Sequence, residues 1–188
     1  MIRWFPGVVV GWAFLLIQTT VGGMLWFTVK DVGPAAPDLL AIVAVFLALW
    51  SRSGVEVMLT AWCLGFALDL TTGGGDAAGS VLGPMSIGYS LGAGLIFRIR
   101  EAFFRDKPLP QAILVIIFCV VAHGLYVGLQ GLVAYRHVTM LRLAMRLGQV
   151  GMLAAYTAVL MVPGHWLLWR IQRWIITAPV GRTARSMG

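Results

Sequence analysis

Charged side chains are scarce in this sequence. They make up 11% of its 188 residues, against 60% that are hydrophobic. A water-soluble domain of this size carries about 25% charged residues. The polar surface available cannot cover a soluble globule, which excludes soluble enzymes and soluble binding modules. The bilayer must be the solvent for most side chains. Cysteine is scarce too: Cys63 and Cys119 are the two in the chain, each within an apolar run. That excludes a disulfide framework and leaves inert, small packing residues. Acids are outnumbered, seven Asp and Glu against fourteen Lys and Arg, for a net charge of +7. The excess does not form a nucleic-acid footprint. Arg98, Arg100, Arg105 and Lys107 form one loop patch, and Arg170 and Arg173 close the last apolar run. Cations placed beside membrane spans set topology rather than bind polymers.

What the sequence has is apolar runs, with a mean hydropathy of +0.89. The first runs from Gly7 to Phe27 with only Arg3 ahead of it and no small-residue cleavage site after it, so it reads as a retained span rather than a signal peptide. Lys30, Asp31, Gly33, Pro34 and Pro37 then break the helix. Leu39 to Trp50 is apolar throughout but short, about 18 Å of helix against a hydrocarbon core of about 30 Å. The Ser51–Gly54 turn leads into a third helix over Val55–Leu70, and a glycine-rich loop follows it. Further spans are expected over Leu82–Phe97, Ala112–Val133 and Val150–Trp169. The expected fold is an all-α integral membrane protein, a bundle of six transmembrane helices with both termini inside and a short second helix. It comprises one domain over residues 1–176 and a basic, disordered cytoplasmic tail over 177–188.

Charge fixes the count of spans. With six spans, Arg3, Arg52, the Arg98–Lys107 patch and the four C-terminal arginines fall inside, and Lys30, Arg136, Arg142 and Arg146 fall outside. This obeys the positive-inside tendency. Five spans would put the patch outside. Between Tyr135 and Leu147, Arg142 and Arg146 stand one helical turn apart among apolar residues, which predicts a short amphipathic helix at the outer headgroups. Its arginines either snorkel to lipid phosphates or dock an acidic segment of a partner.

No catalytic constellation emerges, and no cofactor or metal is expected. Asp69 ends the third helix, where its carboxylate can tie down loop amides or cap a neighbouring helix; ion coupling or substrate binding is the alternative. Asp38 follows Pro37 and is expected to cap the second helix. His123 and His165 lie in the fifth and sixth spans with no Cys, Asp or Glu within a turn, so bonds to neighbouring helices are expected rather than a metal site. Ser86 lacks a nucleophile elbow. Small residues recur at four-residue spacing: Gly7 and Gly11, Ala61 and Gly65, Gly79 and Gly83, Gly88 and Gly92, Gly124 and Gly128. In lipid such pairs let helix backbones approach, either within the bundle or against a partner helix.

The order of features over residues 35–100 resembles the rod shape-determining MreD family. The residues that carry the likeness are Pro37-Asp38-Leu39-Leu40, the Arg52-Ser53-Gly54 turn, Gly65-Phe66-Ala67-Leu68-Asp69-Leu70, and Leu82-Gly83-Pro84-Met85-Ser86-Ile87-Gly88-Tyr89-Ser90-Leu91-Gly92. The Gly73-Gly74-Gly75-Asp76 loop and the length of the tail depart from that family's pattern. The resemblance implies a non-enzymatic scaffold of the bacterial elongation machinery in the cytoplasmic membrane. Such a scaffold binds the bitopic protein MreC and links MreB filaments to RodA and its penicillin-binding transpeptidase. Partner-binding or structural roles are then expected at the glycine-bearing faces (Gly65, Gly79, Gly83, Gly88, Gly92), at Asp38 and Asp69, and around Arg142 and Arg146, with the basic patch meeting anionic lipid or the filament. The architecture is also similar to the substrate-binding subunits of energy-coupling-factor vitamin transporters, the alternative reading, for which His123 and Gln130 could supply pocket contacts.

Overall fold

The computed structural model describes residues 4–20, 24–29, 33–72, 83–102, 108–133 and 140–175. Six α-helices are present among them: α1 (Trp4–Thr20), α2 (Leu39–Trp50), α3 (Gly54–Thr72), α4 (Pro84–Ile99), α5 (Pro108–Val133) and α6 (Met140–Ile175). Two short strands, β1 (Phe27–Val29) and β2 (Gly33–Ala35), pair antiparallel between α1 and α2, and a 3-10 turn (Arg100–Ala102) extends α4. Gly79, Arg105, Lys107 and the 177–188 tail lie outside the described residues, as does the side chain of Arg142.

The short helix α2 organises the rest. Its sequence, LLAIVAVFLALW, has no polar face, and a helix apolar all round must be enclosed. It packs against α1, α3, α4, α5 and α6, and every residue from Leu40 to Leu49 is buried. The other helices therefore form a ring around it, with α3 against α4, α4 against α5, and α5 against α6.

The outside of the ring is as apolar as its core. On α3, Val55, Leu59, Trp62, Phe66 and Leu70 recur every three or four residues and are all exposed. Ile87, Leu91 and Leu95 form the matching stripe on α4. Meanwhile Asp38, Asp69, Ser86, Arg100, Gln111, His123 and Thr157 are buried. Apolar outside and polar inside is the arrangement that lipid demands and water forbids. Three stretches, Gly54–Thr71, Leu109–Gln130 and Ala144–Arg170, are long and apolar enough to cross a membrane. By length and composition they mark a helical membrane protein.

Of the glycines expected at partner contacts, Gly65, Gly88 and Gly92 lie close against other helices of the protein itself. A Cβ on Gly65 would lie 2.7 Å from the Met85 carbonyl oxygen, and one on Gly88 would lie 2.5 Å from that of Ala122. A Cβ on Gly92 would lie 3.1 Å from the Phe118 ring. These residues allow α4 to lie close to α3 and α5. Gly124 and Gly128 have nothing within 4 Å of such a Cβ. Gly83 has a left-handed φ of 116° at the start of α4, which suits a residue without a Cβ.

Two boundaries differ most from the sequence reading. The first helix stops at Thr20 rather than Phe27: Gly22 and Gly23 follow, and Phe27-Thr28-Val29 is extended in β1. The amphipathic segment around Arg146 is not a separate helix but the first turns of α6, which runs unbroken for 36 residues. Gly148 and Gly151 lower helix propensity there, but no proline interrupts the run before Pro163.

Candidate functional site

Because α2 is short, its N-terminus begins inside the bundle, and the β2–α2 link descends to meet it. Ala35 at the end of β2, and Pro37 and Asp38 on that link, are all buried. Asp38 is the N-cap of α2: its Oδ1 accepts from the Ala41 amide at 3.1 Å. A second orphan amide, that of Leu40, donates to Gln18 Oε1 of α1 at 3.1 Å.

The other carboxylate oxygen of Asp38 gathers side chains from two helices. Its Oδ2 accepts from the Tyr89 hydroxyl of α4 and faces His123 Nε2 of α5 at 2.8 Å. The Asp38 amide donates to Thr157 Oγ1 of α6 at 2.9 Å, and that hydroxyl donates to the Leu153 carbonyl at 2.7 Å. The cluster thus joins α2, α4, α5 and α6 at one buried point. A carboxylate acceptor fixes the tautomer of His123 with a proton on Nε2; the contact is a hydrogen bond with neutral imidazole and an ion pair with imidazolium. Tyr89 is further held by Phe118, ring edge to face at 5.0 Å.

Asp69 performs a parallel task for α4. From the end of α3 its Oδ2 accepts from the Gly83 amide at 3.0 Å, the Ser86 amide at 3.2 Å and the Ser86 hydroxyl at 3.3 Å. Gly83 is the N-cap of α4 but has no side chain to close it. The cap is supplied from the neighbouring helix, and the carboxylate sits at the positive end of the α4 dipole. The Ser86 hydroxyl is thereby bonded to a carboxylate rather than to a histidine.

At the opposite end Arg100 departs from the expected surface patch. It is buried, and its guanidinium donates to the carbonyls of Ala48 at 2.9 Å and Leu49 at 3.4 Å, and to that of Ser51. Its Cζ stands 3.9 Å from the Phe97 ring centroid. Arg100 caps the C-terminus of α2, where backbone carbonyls have no helical partners. Of the four cations in the expected patch, Arg98 is the one described as exposed.

Among the described residues, cavities open between helices at two places of note. An apolar crevice of about 320 Å³ lies between α1, α2 and α3, with Gly11, Trp12, Val43, Leu64 and Leu70 in its walls. A more polar pocket of about 330 Å³ lies between β2, α5 and α6. His123 closes its deep end and Arg146 stands at its rim.

The sequence reading missed Tyr89 and Thr157 as partners of Asp38, and Arg100 as a cap. The available signal was a polar residue within an apolar span, present at Tyr89, His123 and Thr157 alike; which of them meet was not in it. Among the described residues no group of three His, Cys, Asp or Glu side chains converges on a metal-sized space. Both cysteines are free, Cys119 buried and Cys63 exposed. No family model, curated protein or solved structure is found to match this chain.

Proposed function

We propose that this chain is a non-enzymatic, six-span scaffold of the MreD type in a bacterial cytoplasmic membrane, with both termini inside. On this reading it binds a bitopic MreC-like protein and, through it, the MreB, RodA and penicillin-binding transpeptidase assembly that builds the lateral wall. One observation carries the reading. Asp38 and Asp69, central to the motifs of the resemblance, are the side chains that cap α2 and α4 and tie neighbouring helices to them. The polar groups near them bond inward, while the ring offers an apolar exterior suited to other membrane helices. The end that carries Arg52, Arg98 and Arg170, all exposed, is the cytoplasmic side of this topology.

The polar pocket below Arg146 favours a second reading, a solute-binding subunit of an energy-coupling-factor transporter. Native mass spectrometry after gentle purification of the tagged protein from its own cells separates the two. A bitopic chain in fixed ratio supports the scaffold. Recovery of a coupling subunit with its ATPases, or of a retained vitamin-sized solute, overturns it.

A further inference from the structure

The pocket between β2, α5 and α6 has a definite polarity. On α5, His123, Tyr126, Val127 and Gln130 follow the three- and four-residue spacing of one helix face. On the antiparallel α6, Arg146, Gln149, Val150 and Leu153 do the same, so the two faces wall one cleft. Pro34, Ala35 and Ala36 close the third side. None of these lining residues is acidic. At the mouth, Arg146 donates to Gln130 Oε1 at 3.1 Å and Gln130 Nε2 donates to the Tyr126 hydroxyl at 2.6 Å. This chain of bonds orients the guanidinium through a neutral amide, and among the described residues no carboxylate pairs with it. At the floor, His123 turns Nε2 to Asp38. Its Nδ1 has no partner among the described residues.

We infer that this pocket is a binding site for an oxyanion-bearing ligand, whose phosphate or carboxylate head pairs with Arg146 at the rim and whose body extends between the apolar walls toward His123. Three features support it. A volume of about 330 Å³ falls at the lower end of the range of about 300–1,000 Å³ typical of small-molecule sites. The guanidinium fork fits two oxygens of one anion, and the absence of acid from the lining removes the competitor such an anion would face. The Asp38–Tyr89–His123 cluster fixes the floor, so the site is preformed rather than assembled by the ligand. The inference rests on neither functional reading, because a scaffold can hold a lipid headgroup and a transport subunit a solute.

The test is thermal unfolding of the full chain in neutral detergent, titrated with inorganic phosphate, glycerol 3-phosphate and short-chain phosphatidylglycerol. Saturable stabilisation by at least one of them is expected. Arg146→Gln should weaken that response by about tenfold, the loss of about 1.4 kcal/mol of binding. Arg170→Gln, an exposed arginine at the other end of α6, should leave it unchanged. A response to phosphatidylglycerol alone assigns a lipid headgroup. A response to the soluble phosphates as well assigns a solute. No response to any of the three, or the same response in Arg146→Gln as in the parent chain, overturns the site.

Discussion

Asp38 and Asp69 look alike on paper. Both are buried carboxylates next to an apolar helix, both cap a helix N-terminus, and both lie toward the same end of the bundle. Their partners differ in kind. Asp69 bonds two backbone amides and one hydroxyl, all on the first turn of one helix and all through Oδ2. Asp38 uses Oδ1 for its own helix and Oδ2 for side chains from α4 and α5. The first is a local cap supplied from a neighbour; the second is a junction. A cap asks for an oxygen at one place, whereas a junction asks for a carboxylate, because two separate acceptor directions are in use.

That distinction sets the order of mutational effects. Asp38→Ala should cost most, about 3–5 kcal/mol, since it leaves Tyr89 and His123 buried without their acceptor and uncaps Ala41. Denaturant titration of the purified protein reads it, and a loss under 1 kcal/mol would break the comparison. Next is the amide pair. Asp38→Asn keeps one acceptor oxygen and should cost about 2 kcal/mol, while Asp69→Asn retains the oxygen its amides require and should cost less than about 1 kcal/mol. Equal losses in the two would mean that the junction behaves as a cap. The smallest effects come from trimming partners. Tyr89→Phe should cost about 1 kcal/mol and Ser86→Ala about half of that, in line with the modest worth of single hydrogen bonds between membrane helices. Ranking their melting temperatures in one detergent tests the order.

The contrast also explains what could be read from sequence. The helices were legible because apolar runs and breakers are local: α2 begins at Leu39 and ends at Trp50, as its run of side chains predicts. The cap by Asp38 was legible because an acid directly before an apolar run has one obvious local partner. The junction was not, since Asp38 and His123 are 85 positions apart and nothing in either neighbourhood points to the other. Arg100 misled for the same reason. Beside Arg98 it reads as part of a basic loop, yet the carbonyls it serves belong to a helix about fifty residues earlier. The glycines show the limit of a motif: the four-residue spacing identified close approach at Gly88 and Gly92 but not what approaches, which is α5 of the same chain.

The enclosure of α2 has a consequence for how the protein is made. Groups that bond at its two ends come from Gln18, Tyr89, Arg100, His123 and Thr157. These positions leave the ribosome at widely separated times. When α2 is first made, only Gln18 among them has been synthesised. The carbonyls of its last turn wait for Arg100, and the Asp38 amide waits for Thr157, which arrives with α6. A chain halted after α5 therefore holds its most apolar helix with an incomplete belt around it and one end still unsealed.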